Sequence, residues 1–247
     1  MTTTYDRIAR FYDVDMARNM PFDDAAFYAD ICERRGGRAL ELGCGNGRIL
    51  LPLLERGIDA FGIDASAGML VELRRKAADR GFGMRAARMD ARALALRPGF
   101  DIVLSTYSFV TNFVDDADLA RMLAEVRRVL SPDGLFVVDA FVPRPEVASG
   151  DFRLDYRRPF GEFVLVRSKR VAAAGAGRNR IERRYQVFAA DGGLVEQVDM
   201  AEIIRPFAPD VLCAVLAGAG FEVVETWWDY VSQVPPADPR FVSIIAR

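Results

Sequence analysis

Short apolar runs alternate with amphipathic stretches along the first 141 residues, which is the pattern of a parallel sheet covered by helices. Strands are predicted at residues 38–42, 60–63, 84–89, 101–107 and 135–141. Helices are predicted between them at residues 47–56, 66–78 and 119–130, where apolar positions recur at helical spacing. Ser131-Pro132-Asp133-Gly134 is predicted to end the last of these helices in a turn.

From about residue 151 the polar and apolar positions alternate with a period of two. Residues 161–171 and 180–204 show this pattern, and the second segment folds about Asp191-Gly192-Gly193, a hairpin signal. These segments predict antiparallel strands appended to the sheet. A helix at 209–216 precedes strands at 221–228 and 241–246, which are predicted to form an antiparallel pair at a sheet edge.

The composition narrows the class of protein. The 247 residues are 51% hydrophobic with a net charge of −2, which predicts a globular domain and disfavours a disordered chain or a dedicated nucleic-acid binder. Because the sequence contains no histidine, an imidazole base, a Ser/His/Asp or Cys/His nucleophile and a His-ligated metal are excluded.

The three cysteines, Cys32, Cys44 and Cys213, are widely spaced and predict neither a disulfide framework nor a metal cluster. No apolar run reaches the roughly 18 residues of a membrane span, and the N-terminus lacks a basic segment followed by an apolar one. A cytoplasmic protein without a metal is therefore expected.

The segment Glu41-Leu42-Gly43-Cys44-Gly45-Asn46-Gly47-Arg48 joins the first predicted strand to the first predicted helix. Its alternating glycines allow a tight turn and a close approach of a ligand to the backbone. Asp64 ends the second strand, where a carboxylate can accept hydrogen bonds from ribose hydroxyls. Asp90 ends the third strand, where a carboxylate can meet an adenine amino group. The third glycine comes one residue earlier than in GxGxxG, which disfavours a nicotinamide oxidoreductase.

Five ordered motifs, ELGCGNGR, GIDAS, MDAR, DIVLSTYSF and LSPDGLFVVDAF, resemble the class I S-adenosylmethionine-dependent methyltransferases over residues 38–141. The resemblance implies an α/β fold with a Rossmann-like, seven-stranded, mostly parallel sheet whose last strand is reversed. The predicted organisation is an N-terminal helical lid (1–35), a cofactor-binding core (36–145), an antiparallel β insertion that forms an acceptor platform or lid (146–205), and a last helix and strand pair (206–247).

The resemblance also implies which residues bind S-adenosylmethionine and its product S-adenosylhomocysteine. Glu41 and the glycine-rich backbone are expected to hold the methionine part, Asp64 the ribose, and Asp90 with Ala91 the adenine. The expected cofactor-binding set is Tyr5, Tyr12, Glu41, Gly43, Cys44, Gly45, Gly47, Asp64, Ala65, Asp90, Ala91 and Ser105.

Residues 5–13, YDRIARFYD, are similar to the YDxIAxxYD opening of small-molecule members of this family, including sugar-amine and glycine-type N-methyltransferases. There the segment forms a lid helix with tyrosine near the methionine end. The alternative is an amphipathic helix that packs on the domain through its apolar side chains. Those side chains are Tyr5, Ile8, Phe11 and Tyr12.

Methyl transfer requires a base only when the acceptor is a hydroxyl or a protonated amine, and histidine is absent here. This favours an amine nitrogen of a small molecule as acceptor, with Tyr12 and Tyr107 as the expected catalytic residues. The candidate bases are Tyr5, Tyr12, Tyr107, Asp13 and Asp139. The alternatives are a small-molecule O-methyltransferase that uses tyrosine or a carboxylate as base, and a catalytically silent cofactor-binding partner protein.

Polar side chains after the fourth predicted strand are expected to line the acceptor pocket, although Thr111 or Asn112 could instead cap the next helix. The expected substrate-binding set is Tyr107, Thr111, Asn112, Tyr156 and Arg158. Residues 151–190 hold ten basic and four acidic residues, which indicates either an anion-attracting platform or a solvated strand face. Trp227, Trp228 and Tyr230 form either an aromatic wall of the pocket or part of the core. No nucleic acid and no membrane partner is expected, and the chain is expected to be a monomer or homodimer.

Overall fold

The computed structural model describes residues 4–143 and 150–247. The strands are β1 (Arg38–Leu42), β2 (Asp59–Asp64), β3 (Ala86–Arg88), β4 (Phe100–Ser105), β5 (Leu130–Phe141), β6 (Arg153–Phe160), β7 (Phe163–Ala173), β8 (Asn179–Phe188), β9 (Leu194–Ile204), β10 (Val223–Trp228) and β11 (Phe241–Ala246). The helices are α1 (Tyr12–Asn19), α2 (Asp24–Arg35), α3 (Leu50–Glu55), α4 (Ala67–Asp79), α5 (Asp116–Val129) and α6 (Pro209–Gly218), with short 3-10 helices at Thr4–Arg7, Ala9–Phe11 and Phe109–Asn112.

Seven strands form one sheet in the order β10-β11-β5-β4-β1-β2-β3. The pairs among β1 to β5 are parallel, whereas β11 runs antiparallel to both of its neighbours, β5 and β10. The predicted seven-stranded, mostly parallel sheet with a reversed last strand is therefore confirmed. β11, the last strand in the chain, lies inside the sheet, and β10 forms its edge.

Helices bury both faces of the central strands, which is why these strands are almost continuously apolar. On one face, Met122 of α5 lies in a hydrophobic cluster with Val103 of β4. On the other face, Leu53 of α3 lies in a cluster with Leu104 of β4. Successive residues of one strand thus face opposite helix layers, and the strand ends are held at a common edge.

The four remaining strands form a separate antiparallel sheet in the order β6-β7-β8-β9. The predicted hairpin joins β8 to β9. Gly192 adopts φ +86°, and the Ala189 N–H donates to the Gly193 carbonyl at 2.9 Å across the turn. The period-two pattern therefore predicted β7, β8 and β9, whereas β6 lies outside the two segments that show the pattern.

The N-terminal segment, residues 4–19, packs between the two sheets. It forms two 3-10 helices followed by α1, and not the continuous helix predicted over residues 5–13. The Asp6 carboxylate accepts hydrogen bonds from the Ser66 hydroxyl and the Gly68 N–H at the start of α4, both at 2.7 Å, so the chain is held against the large sheet before α1 begins.

Several predicted boundaries differ from the structure, most clearly at the starts of α3 and β5. α3 begins at Leu50 and not at residue 47, because Gly47 has φ +86°, which a right-handed helix excludes. Ser131-Pro132-Asp133-Gly134 does not form the predicted turn. It lies within β5 as an irregularity of pairing between Leu130 and Leu135.

Within residues 4–143 and 150–247, none of the helices is both long enough and apolar enough to cross a membrane. The predicted boundary between residues 145 and 146 falls outside the described residues.

Candidate active site

A cavity of about 380 Å³ opens at the carboxyl ends of β1, β2 and β4, the edge where open α/β sheets bind ligands. The predicted site residues that line it are Tyr5, Tyr12, Glu41, Gly43, Cys44, Gly45, Asp64, Ala65, Asp90, Ala91, Tyr107 and Asn112. The predicted site residues outside the lining are Gly47, Ser105, Thr111, Tyr156 and Arg158. The structure therefore brings together most of the expected cofactor set and a smaller part of the expected acceptor set.

The glycines of the loop after β1 have different tasks. Gly43 adopts φ +68°, and a Cβ there would lie 2.4 Å from the ring of Phe109, so no side chain fits. A Cβ on Gly47 would instead lie 2.4 Å from Leu73 of α4. Gly47 thus allows the loop to pack on α4, whereas Gly43 and Gly45 form the floor of the cavity.

Glu41 is buried at the end of β1, with 2% of its surface exposed. Its Oε1 accepts a hydrogen bond from the Thr106 hydroxyl at 3.0 Å, whereas its Oε2 has no hydrogen-bond partner in the described part of the chain. Burial raises the pKa of Glu41 to about 7. An unpaired buried carboxylate oxygen is energetically costly. Oε2 is therefore available to accept a hydrogen bond from a ligand in the cavity.

Asp64 lies at the end of β2 and holds the glycine-rich loop. Its two carboxylate oxygens accept hydrogen bonds from the Gly45 N–H at 2.8 Å and the Ser66 N–H at 2.7 Å. Burial raises its pKa. Each oxygen keeps a second lone pair, so the carboxylate can accept two further hydrogen bonds from the cavity.

Asp90 is exposed at the rim, and a fork of hydrogen bonds from Arg92 engages both of its oxygens, with Nη2 to Oδ2 at 2.6 Å. The Arg92 guanidinium holds the pKa of Asp90 below its usual range. Arg92 also binds Asp118 on α5. Ala91, directly after Asp90, is buried and faces the cavity. Ser105 is fully buried on β4, between its neighbouring strands.

After β4 the chain makes a strained turn, in which Tyr107 and Ser108 adopt φ +50° and +58°. The Asp139 carboxylate accepts hydrogen bonds from the N–H groups of both, at 3.0 and 2.5 Å. It also accepts hydrogen bonds from the hydroxyls of Tyr28 and Tyr230, both at 2.5 Å. This positive φ also explains why the predicted strand over residues 101–107 ends at Ser105.

The two carboxylates proposed as bases form hydrogen bonds with other protein groups, outside the cavity. Asp139 is fully buried, carries these four hydrogen bonds and does not line the cavity, although burial raises its pKa to about 6. Asp13 lies outside the lining and accepts from the Asn46 amide at 2.9 Å and from the Lys76 ammonium at 2.6 Å. Because both carboxylates lie outside the cavity lining, neither is positioned to act as the base toward the acceptor that the sequence suggested.

Two tyrosines, Tyr12 and Tyr107, and one arginine, Arg48, also line the cavity. Burial raises the pKa of Tyr107 to about 12 and that of Tyr12 further. The Arg48 guanidinium lies 5.3 Å from the centre of the Tyr107 ring and forms a two-pronged ion pair with Asp24 at 2.7 and 2.8 Å. Sequence reasoning missed Arg48, because its partner lies on α2, far away in the chain.

Thr111 and Asn112 form hydrogen bonds within their own 3-10 helix, to the carbonyls of Ser108 and Phe109, and neither caps α5. Of these two only Asn112 lines the cavity. Tyr156 is buried between the sheets, where its hydroxyl donates to Asp15. Arg158 lies beside the Tyr156 ring, at 5.9 Å. Tyr156 is thus bound to Asp15 and does not lie at the cavity, where it was expected to contact the acceptor.

The basic residues of the four-stranded sheet are largely neutralised within the protein. At least seven of the ten form ion pairs with carboxylates, which supports a charge-balanced strand face and not an anion-attracting platform, although Arg167 and Arg183 are largely buried. The seven are Arg167, Lys169, Arg170, Arg178, Arg180, Arg183 and Arg184.

The aromatic residues of β10 and the loop after it belong to the core. Trp227 packs edge-on against Phe27 at 5.7 Å, Trp228 packs against the core cluster, and Tyr230 binds Asp139. None of the three lines the cavity. The core interpretation of these residues is therefore correct.

Comparison with known proteins places this geometry in context. Residues 39–134 match a family model described as a methyltransferase domain. A demethylmenaquinone methyltransferase from Thermus thermophilus is 35% identical over 195 residues, covering 77% of each chain. An S-adenosylmethionine-dependent methyltransferase from Clostridium acetobutylicum has the same fold, with a TM-score of 0.79 at 17% identity over 99% of each chain. The sugar N-methyltransferase KedS8 from Streptoalloteichus has a TM-score of 0.75 at 22% identity, over 100% of this chain and 94% of that chain.

The chain belongs to the class I S-adenosylmethionine-dependent methyltransferases. The predicted family, the enzyme class and the cofactor S-adenosylmethionine are thereby confirmed.

Proposed function

We propose that this enzyme transfers the methyl group to an amine nitrogen of a small molecule. One observation carries the proposal: Tyr12 and Tyr107 line the cavity as neutral phenols, and burial raises their pKa values still further above neutral pH. A phenol that is neutral at pH 7 is a poor base, so the acceptor must be one whose nucleophilic lone pair is available without a strong base. An amine meets this requirement and an aliphatic alcohol does not.

The donor and acceptor groups of the cavity fit the cofactor. The unpartnered Oε2 of Glu41 matches the ammonium of the methionine part, and the open lone pairs of Asp64 match the ribose hydroxyls. The side-chain-free floor at Gly43 leaves space for the chain that joins them. We expect Ala91, which lines the cavity, to bind the adenine through its backbone, because Arg92 holds the oxygens of Asp90.

When bound, S-adenosylmethionine supplies a sulfonium methyl group, which an in-line nucleophile takes as the carbon–sulfur bond breaks and its electron pair passes to sulfur. The residues of this chain contribute alignment and exclusion of water, a proximity effect of several kcal/mol. Tyr12 and Tyr107 orient the nitrogen with their phenol groups. The N-terminal segment contributes Tyr5 and Tyr12 to the lining of the cavity.

O-methylation is the alternative chemistry, and it would need a base in the cavity near Tyr12 and Tyr107. The two carboxylates considered for that task, Asp13 and Asp139, are engaged by other residues. A catalytically silent partner protein is the alternative of another class, and it would bind cofactor without turnover.

The test measures release of S-adenosylhomocysteine with matched acceptors, glucosamine with glucose and cyclohexylamine with cyclohexanol, in the wild type, Tyr12→Phe and Tyr107→Phe. Tyr156→Phe, which removes a hydroxyl outside the cavity, is the control. We expect methylation of amines only, a loss of roughly tenfold in kcat for the two cavity variants because a positioning hydrogen bond is removed, and an unchanged pH profile. Methylation of the alcohols that disappears in Tyr12→Phe or Tyr107→Phe would establish the O-methyltransferase. Cofactor binding without any turnover would favour the silent partner.

A further inference from the structure

The four-stranded sheet contributes one side chain to the cavity lining within the described residues, and it is an acid. Glu202 lies near the end of β9 and lines the cavity beside Tyr5. Its side chain is 10% exposed, so it is nearly buried. Sequence reasoning missed Glu202, because nothing local in β9 distinguishes it from the other acids of that strand.

Two donors fix the Glu202 carboxylate in place. Arg183 on β8 donates to Oε1, and the Tyr5 hydroxyl donates to Oε2 at 3.1 Å. An ionised carboxylate has about four acceptor positions, of which these contacts use two. Glu202 is therefore a rigid acceptor with capacity left on the side of the cavity.

Aromatic rings surround the space next to this carboxylate. Tyr5 and Tyr12 meet edge to face, with ring centres 6.5 Å apart, and Tyr107 lines the same cavity. Both arginines near this space are paired, Arg48 with the buried carboxylate of Asp24 and Arg183 with Glu202 itself. Faces of aromatic rings together with a carboxylate form the environment that binds organic ammonium ions.

We propose that the acceptor binds as an organic ammonium ion whose N–H groups donate to Glu202 and whose charge faces the rings of Tyr5, Tyr12 and Tyr107. This inference rests on the proposed function and narrows it to cationic amines. One N–H proton passes from the bound ammonium to the Glu202 carboxylate, which leaves a lone pair on nitrogen for the methyl group. The methylated nitrogen then carries the positive charge, and Glu202 returns the proton to water.

The test uses three probes of equal shape, cyclohexylammonium, cyclohexanol and cyclohexanecarboxylate. Each is titrated at pH 7 into protein saturated with S-adenosylhomocysteine and followed by ligand-observed NMR. We expect the wild type to bind the ammonium at least about tenfold more tightly than the alcohol, because it gains a charge-assisted hydrogen bond and ring contacts. Glu202→Gln, which keeps the side-chain shape, should reduce this preference to less than about threefold. Glu196→Gln removes another arginine-paired acid of β9, outside the cavity, and should leave the preference unchanged.

The wild-type titration alone decides the proposal even if Glu202→Gln fails to fold. The proposal is overturned if the wild type binds the ammonium no more tightly than the alcohol, prefers the carboxylate, or binds none of the three probes. It is also overturned if the preference for the ammonium survives in Glu202→Gln. Calorimetric titration of the same samples with S-adenosylhomocysteine separates the two levels of inference. Failure of that ligand to bind contradicts the proposed function, whereas its binding without ammonium preference contradicts only the role of Glu202.

Discussion

One buried carboxylate holds the turn after β4, which carries Tyr107 into the cavity lining. Tyr107 and Ser108 both have left-handed backbone conformations, which cost roughly 1–2 kcal/mol for each residue other than glycine. Asp139 offsets this cost by accepting hydrogen bonds from both N–H groups. The position of the Tyr107 ring therefore depends on a residue of the neighbouring strand that never contacts the cavity.

Asp139→Ala is expected to lower the free energy of unfolding by about 3 kcal/mol, because it leaves buried donors without an acceptor. Urea unfolding measures this change. Asp133→Ala on the same strand removes an exposed carboxylate and should change the free energy by less than about 0.5 kcal/mol. A loss in Asp139→Ala no larger than in this control would mean that the turn after β4 is stable without Asp139.

Residues near a local motif were predictable, and residues defined by distant partners were not. Glu41 and Asp64 were predicted because each lies at the carboxyl end of a strand beside the glycine-rich loop. Arg48 follows the same loop but has its partner, Asp24, on another helix. Asp139 was predicted as a possible base, yet its four donors show that it supports the backbone.

At the scale of elements, the N-terminal segment connects the two sheets. Phe11 is fully buried and stacks on Tyr185 of β8 at 5.4 Å. Asp15 of α1 accepts a hydrogen bond from Tyr185 at 2.6 Å and pairs with Arg167 of β7 at 3.0 Å. The apolar core of the four-stranded sheet is thus completed by the same segment that brings Tyr5 and Tyr12 to the cavity.

Phe11→Ala is expected to lower the free energy of unfolding by about 3–5 kcal/mol, because it leaves a cavity in this small core. It should also raise amide hydrogen exchange in β8 and weaken S-adenosylhomocysteine binding, since Tyr5 and Tyr12 lie on the same segment. Denaturant unfolding and exchange mass spectrometry measure these effects, with Val71→Ala at a 63% exposed position as control. Unchanged exchange in β8 would show that the sheet is stable without the segment.

Elements were predicted well where hydrophobic periodicity was clear, and their ends were predicted less well. The strands of the large sheet and the β8–β9 hairpin agree with the sequence pattern. The start of α3 does not, because the left-handed φ of Gly47 depends on packing against Leu73. The irregularity of β5 also depends on its pairing with β4, which no local signal of Ser131-Pro132-Asp133-Gly134 reveals.

At the scale of the whole molecule, the cavity has a proposed cofactor half and a proposed acceptor half of different origin. Consecutive strands and loops of the large sheet form the cofactor half, so its residues follow an order that a single sequence reveals. The acceptor half combines the N-terminal segment, the turn after β4 and the end of β9. These parts are brought together only by folding, which is why the sequence predicted the cofactor more sharply than the acceptor.

Glu41 allows the most direct test of this arrangement. With a pKa raised to about 7 by burial, its carboxyl is largely protonated at pH 6 in the free protein. A ligand ammonium at its free oxygen favours the charged form, so binding lowers this pKa and releases the proton. Affinity should consequently rise as the pH increases from about 5.5 to 7.5.

The decisive measurement is calorimetric titration with S-adenosylhomocysteine at pH 6, in two buffers that differ in ionisation enthalpy, for the wild type and Glu41→Gln. We predict micromolar binding by the wild type with release of about one proton, and no proton release in Glu41→Gln. Absence of binding, or wild-type binding whose heat is the same in both buffers, would contradict the assignment of this cavity as the cofactor site.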